Sequence, residues 1–299
     1  MKRWIVFILF SIQILTAQTK FDLQGHRGAR GLAPENTLPA FLIAIKYQVT
    51  TLEMDVVITK DGKVLVSHDP WINKTFCIQP EGKKWGKVSR LKYNIFKMNY
   101  EEVKKYDCGS QFYPRFPEQK LQNVHKPLLS ELIPEIQTYL KENNLPQVQY
   151  SIEIKSAKWA DGIFHPIPKV FSELLINDLI KLGILDNCII QSFDVRPLKY
   201  LHANYPEIKI SYLVLNKKSF EKNMKRLGFT PNIYSPNYKL VDSVLIQQAH
   251  EKNIQVIPWT VDLESEMQKL IDLGIDGLIT DYPNLGKIVI DKNFKPSAN

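Results

Sequence analysis

Hydrophobic and polar positions alternate strictly through Leu52-Glu53-Met54-Asp55-Val56-Val57-Ile58. Leu52, Met54, Val56 and Ile58 fall on one face of the implied strand, and Thr51, Glu53, Asp55 and Val57 on the other. Two carboxylates two residues apart inside an apolar strand repel each other unless a cation lies between them. A strand with one solvated polar face is the other reading of the same pattern.

Elsewhere the pattern switches repeatedly between strand and helix periods. A short strand over residues 21–26 runs into Gly25-His26-Arg27-Gly28. Pro34-Glu35-Asn36-Thr37 then opens a helix that Leu38, Phe41, Leu42 and Ile45 carry to about Tyr47. After Asp61-Gly62, a turn signal, Lys63 to Ser67 reads as a third strand, ending at His68-Asp69-Pro70. From Trp71 to Lys126 periodicity breaks down, which predicts a small inserted lobe, since so long a structureless loop is improbable.

Order returns with a helix over Leu129–Lys141 and a strand from Val148 to Ile154 that puts Ser151, Glu153 and Lys155 on one face. Helices starting near Pro168, Pro197, Ser219, Val241 and Leu263 then alternate with strands at Cys188–Ser192, Lys209–Leu215, Asn232–Ser235 and Gln255–Trp259, and the last helix leads to Gly277-Leu278-Ile279-Thr280-Asp281-Tyr282-Pro283, where the last strand is counted at Ile279. Alternation with short connections implies a parallel sheet. About eight units in one domain point to an α/β fold, a closed (β/α)8 TIM barrel with an insertion after the third strand, over an open doubly wound sheet. In a barrel the C-terminal strand ends converge on one mouth, gathering His26, Glu53, Asp55, His68, Glu153, Lys155, Gln191 and Trp259.

Residues 1–17 read as a signal peptide: Lys2 and Arg3, an apolar run from Trp4 to Leu15, and a cleavage site after Ala17. That run is too short and interrupted for a membrane span, so the expectation is export to periplasm or medium without stable membrane insertion. Residues 21–299 remain as the barrel domain. Losing Lys2 and Arg3 lowers the formal charge from +8 to +6, an excess that favours anionic ligands or surfaces. No dense basic block with interleaved aromatics points to nucleic acid. The cysteines lack metal-type spacing; Cys77 and Cys108 could pair in an exported protein, and Cys188 reads as a small buried hydrophobe. Oligomeric state has no signature.

At the mouth, Glu53, Asp55 and Glu153 suit one hard divalent cation, Ca²⁺ or Mg²⁺, bound through oxygen. The alternative is a buried ion network with Lys155 and Arg27, which leaves three acids against two cations. His26 and His68 can serve as proton acceptor and donor. Arg27 can fork onto a phosphate oxygen and Lys155 adds a second positive point. Gln191 could orient a substrate hydroxyl, and Trp259 could stack on a glycerol or headgroup. His125, His165, His202 and His250 read as surface residues. The combination suits phosphoryl transfer.

The ordered set His26-Arg27-Gly28-Ala29, Pro34-Glu35-Asn36-Thr37, Glu53-Met54-Asp55-Val56, His68-Asp69, Glu153-Ile154-Lys155, Gln191-Ser192-Phe193, Trp259-Thr260-Val261 and Gly277 to Pro283 resembles the glycerophosphodiester phosphodiesterase family. The resemblance implies a metal held by Glu53, Asp55 and Glu153, His26 as base and His68 as acid, Arg27 and Lys155 near the phosphate, and Glu35 close by. It implies hydrolysis of a small glycerophosphodiester to sn-glycerol 3-phosphate and an alcohol. Asp262 stands where the family commonly has Asn.

Overall fold

The structure, a computed structural model, describes residues 21–86 and 90–294. The leader expected at 1–17 lies outside these residues.

The described residues form nine strands: β1 (Asp22–Gly25), β2 (Thr51–Ile58), β3 (Val64–Val66), β4 (Gln149–Ile154), β5 (Cys188–Ser192), β6 (Lys209–Val214), β7 (Ile233–Pro236), β8 (Gln255–Val256) and β9 (Gly277–Thr280). The helices are α1 (Leu38–Lys46), α2 (Tyr100–Val103), α3 (Leu129–Glu142), α4 (Pro168–Lys181), α5 (Val195–Asn204), α6 (Phe220–Leu227), α7 (Ser243–His250), α8 (Glu264–Leu273) and α9 (Pro283–Asn293). Parallel pairing runs β8-β7-β6-β5-β4-β2-β1-β9. The ends of this series meet through Asp276 N–H to Val256 O (3.0 Å), Ile279 N–H to Pro258 O (2.9 Å) and Val261 N–H to Ile279 O (2.9 Å). The expected (β/α)8 barrel is therefore the fold.

One strand is corrected. Val64–Val66 is not a barrel stave. It pairs antiparallel with β2, Val56 opposite Val66, and touches no other strand. The Asp61-Gly62 turn folds it straight back, and a hairpin cannot supply the crossover that parallel pairing needs. α9 had no counterpart in the sequence reading, which stopped at Pro283.

Parity divides the staves. Leu52, Met54, Val56, Tyr150, Ile152 and Ile154 face outward into one large core shared with the helices. Inward positions are different: Ile189, Ile233, Ile257 and Ile279 make a small plug inside the barrel. Asp55 and Glu153 lie two residues nearer the mouth than Ile189, and Glu53 lies level with it.

Residues 71–86 and 90–126 build a lobe beside the mouth. Ile72, Phe76, Cys77, Tyr93, Ile95, Tyr100, Val103 and Cys108 pack against Val57 and Leu65, and a disulfide joins Cys77 to Cys108. Covalent closure offsets the small size of this second core. Cys188 is free and buried.

Candidate active site

Strand register explains which side chains meet. Asp55 lies opposite Glu153, and Glu153 opposite Gln191. Gly25 lies opposite Thr280, so the next residues, His26 and Asp281, come face to face. After β1 the chain turns sharply through Arg27 (φ 51°) and Gly28 (φ 83°). A side chain at position 28 would put its Cβ 2.5 Å from the Ala40 backbone, so only glycine lets the turn press against α1. The turn aims the Arg27 N–H at Glu53 Oε2, 2.8 Å away.

Glu53, Asp55 and Glu153 are all buried, and one oxygen from each lies within 4.8 Å of the others. Burial and the facing Asp55 carboxylate push Glu53 well above the usual carboxylate range. At Asp55, Arg27 and Lys155 overcome the cost of burial and hold the carboxyl well below it. Asp55 Oδ1 has no hydrogen-bond donor. A repelling, all-oxygen cluster with an orphaned oxygen fits a hard cation.

The cluster is held from outside. Gln191 Nε2 donates to Glu53 Oε1 at 2.8 Å. Asn36 grips Asp55 twice: its Nδ2 donates to Oδ2 at 2.9 Å, and its Oδ1 accepts the Asp55 N–H at 3.2 Å. Lys155 Nζ lies 2.8 Å from Glu153 Oε1 and 3.5 Å from Asp55 Oδ1. Such partners fix a ligand's orientation before any ion arrives.

Arg27 is buried, with Nη1 2.9 Å from Glu35 Oε1 and Nε 3.2 Å from Asp55 Oδ2. Arg30 Nε pairs with the other Glu35 oxygen at 2.6 Å. Burial disfavours the Glu35 charge, but the two guanidiniums outweigh it and hold the carboxyl at about 2.

His26 Nδ1 lies 2.6 Å from Asp281 Oδ1, and its Nε2 is 4.0 Å from Glu53 Oε2. Burial lowers its pKa below 6.5, Asp281 opposes this, and Arg27 adds to it. Burial thus favours the neutral ring, and Nδ1–H donated to Asp281 would leave the Nε2 lone pair free. His68 Nδ1 lies 2.9 Å from Asp69 Oδ1, and Asn73 Nδ2 donates to Asp69 Oδ2 at 2.6 Å. Burial works against the Asp69 charge, yet hydrogen bonds from His68 and Asn73 bring its carboxyl to about 2.

These groups line one cavity of about 310 Å³ at the mouth. All the expected site residues except Asp55 reach its wall: His26, Arg27, Glu35, Glu53, His68, Glu153, Lys155, Gln191 and Trp259. Phe193, Leu213 and Trp259 form an apolar side; Asn73, Phe76, Tyr113 and Arg115 come from the lobe. Gln191 spends its amide N–H on Glu53, and Trp259 Nε1 donates to Ser235 O at 2.9 Å.

Asn36, Asp69, Asp281 and Asn73 escaped the sequence reading as site residues, although three of them sit inside its quoted motifs. The usable signal was position: Asp281 follows β9 by one residue, as His26 follows β1. One surface assignment is wrong. His165 is buried, accepting the Ala157 N–H at Nε2 (2.9 Å) and pairing Nδ1 with Pro166 O (2.8 Å). It staples the β4–α4 loop, where no backbone partner meets those groups.

The model of the glycerophosphoryl diester phosphodiesterase family matches residues 26–285. A glycerophosphodiester phosphodiesterase of Bacillus subtilis (strain 168) is 28% identical over 272 residues, covering 87% of this chain and 83% of that protein. One from Bacillus altitudinis is 26% identical over 264 residues, covering 87% and 94%. A crystal structure from Silicibacter pomeroyi DSS-3, provisionally described as a glycerophosphoryl diester phosphodiesterase, superposes with a TM-score of 0.80 at 26% identity, covering 92% and 95%. The Oleispira antarctica phosphodiesterase solved with sn-glycerol-3-phosphate shares the fold, with a TM-score of 0.71 at 23% identity, covering 90% and 96%.

Proposed function

The chain belongs to the glycerophosphoryl diester phosphodiesterase family, and from that premise we propose that it is an exported, cation-dependent enzyme hydrolysing glycerophosphodiesters to sn-glycerol 3-phosphate and an alcohol. One observation carries the reading. The buried oxygens of Glu53, Asp55 and Glu153 converge within 4.8 Å in a cavity whose wall also holds two carboxylate-oriented imidazoles, His26 and His68.

A Ca²⁺ or Mg²⁺ ion held by those carboxylates would polarise a phosphoryl oxygen and offset the charge of the diester. Arg27 and Lys155, both lining the cavity, orient the phosphate. His26 Nε2 takes the proton of the attacking hydroxyl as its oxygen bonds to phosphorus. That hydroxyl belongs to water, or to the glycerol 2-position, in which case a cyclic phosphate forms first and water then opens it to sn-glycerol 3-phosphate. His68, with Nδ1–H on Asp69, donates from Nε2 to the departing alkoxide as the second P–O bond breaks. Trp259 and Phe193 offer an apolar surface to glycerol carbons, and Gln191 acts through Glu53. Export is supported by the leader pattern at 1–17 and by the Cys77–Cys108 disulfide, which persists in an oxidising compartment.

The test is product analysis with glycerophosphocholine. Release of sn-glycerol 3-phosphate and choline by the wild type, reduced about 10²–10⁴-fold in His26→Ala and in His68→Ala, supports the assignment. Unreduced turnover in either variant contradicts it.

A further inference from the structure

We propose that the mouth rim formed by the β4–α4 and β6–α6 loops docks on an anionic phospholipid bilayer. Both loops leave the C-terminal ends of barrel strands, so they project on the same face as the catalytic cavity. The first exposes Trp159 (69%), Ile163 and Ile167; the second exposes Leu215 (61%). Isolated exposed apolar residues are ordinary, but a cluster rimmed by charge marks an interaction surface.

The rim is built rather than loose. Trp159 packs edge-on against Phe164 with ring centroids 5.9 Å apart, and Phe164 packs edge-on against Trp71 at 5.7 Å. Asn94 of the lobe donates to Ile163 O at 2.6 Å. The indole is therefore propped outward on a rigid base. Trp is the residue best suited to the lipid headgroup zone, where its ring is buried and its N–H stays wet.

Charge identifies the occupant. Exposed lysines flank each apolar tip: Lys158 and Lys169 in the first loop and helix start, Lys217 and Lys218 in the second. The acid of the first loop, Asp161, is paired with Arg196, whose Nη1 and Nη2 lie 2.5 and 3.0 Å from its oxygens and which also binds Asp194. Apolar tips among exposed lysines match an anionic bilayer: the rings and branched chains enter the headgroup boundary while the ammonium groups meet lipid phosphates. Among the described residues no helix is long and apolar enough to cross a membrane, so the contact is peripheral. Docked this way, the mouth opens at the surface where deacylation of phospholipids releases glycerophosphodiesters.

The experiment is vesicle flotation of the full chain on phosphatidylcholine alone and on an equal mixture with phosphatidylglycerol. Wild type is expected to partition onto the mixed vesicles and to be released by high salt. Lys158→Glu/Lys169→Glu should lose partition by about tenfold or more, near fivefold per lysine. Trp159→Ala/Ile163→Ala should lose about tenfold. Both should keep the wild-type thermal melt and turnover of soluble substrate, since neither pair lines the cavity. Adsorption through Trp4–Leu15 would be common to wild type and variants. Partition of both variants equal to wild type, or no partition of wild type onto mixed vesicles, overturns the proposal. A rim that governs self-association by sedimentation while vesicles recover nothing overturns it too.

Discussion

His26 and Asp281, 255 residues apart in the chain, are joined by a 2.6 Å contact from Nδ1 to Oδ1. The pairing of β1 with β9 creates it, so the register of the first and last strands also orients the His26 ring. Asp281→Asn keeps the size of the side chain but removes the charge and offers an N–H to Nδ1. The expected result is a fall in kcat of about 10²–10⁴-fold with KM nearly constant, measured on glycerophosphocholine. An unchanged kcat would show that Asp281 does not set the ring.

Asn36 holds Asp55 through two hydrogen bonds. Asn36→Ala should weaken divalent-cation activation about 10–100-fold while saturating cation restores most of kcat. The measurement is the activation constant from a cation titration of the chelator-treated enzyme. An activation constant equal to wild type would assign Asn36 to the turn alone.

The Cys77–Cys108 bridge closes the lobe whose Asn73 orients Asp69, and Asp69 orients His68. Cys77→Ser/Cys108→Ser should destabilise the lobe by about 2–4 kcal/mol. Hydrogen exchange should rise in residues 71–126 before it rises in the barrel strands, and kcat should fall with it. Uniform exchange across lobe and barrel would mean that the two unfold as one unit.

Asp262 tests a different link, from electrostatics to stability. Burial and the neighbouring Asp281 raise its carboxyl to about 6, although it accepts the Asp281 N–H at 2.9 Å. Because the folded value lies above the unfolded one, the native state keeps a proton that the unfolded chain has lost. Stability from this group therefore falls as pH rises from about 4 to about 6, and the full cost is present above that. Asp262→Asn keeps the acceptor oxygen and removes the charge. Denaturant unfolding should show no difference from wild type near pH 4 and a gain of about 1–2 kcal/mol near pH 7, partial exposure being allowed for. An Asn variant that is no more stable at pH 7 would contradict the assignment.

Much of the site could be read from parity. Glu53 and Asp55 share the inward face of β2, and Glu153 and Lys155 share that of β4, so alternation alone places the acids on the inward face. What parity cannot give is register between strands distant in sequence. Asp281 meets His26 because Gly25 sits opposite Thr280, a pairing between the two ends of the chain. Asn36 reaches Asp55 from a turn at φ 57°, a conformation that no hydrophobic period encodes. The hairpin strand Val64–Val66 carries the same apolar run as a stave; only its tight connection distinguishes it. His165 was misplaced because burial in a loop depends on which backbone groups need partners, and sequence spacing does not report that.

Under the proposed function, Glu53, Asp55 and Glu153 hold a cation required for diester hydrolysis. The most direct test is turnover of glycerophosphocholine by wild type and Glu153→Gln, before and after chelation, with Ca²⁺ or Mg²⁺ added back. Chelation should abolish wild-type activity, one of the two ions should restore it, and Glu153→Gln should stay folded yet need about 10-fold or more added ion. Full activity in the presence of chelator would contradict that requirement.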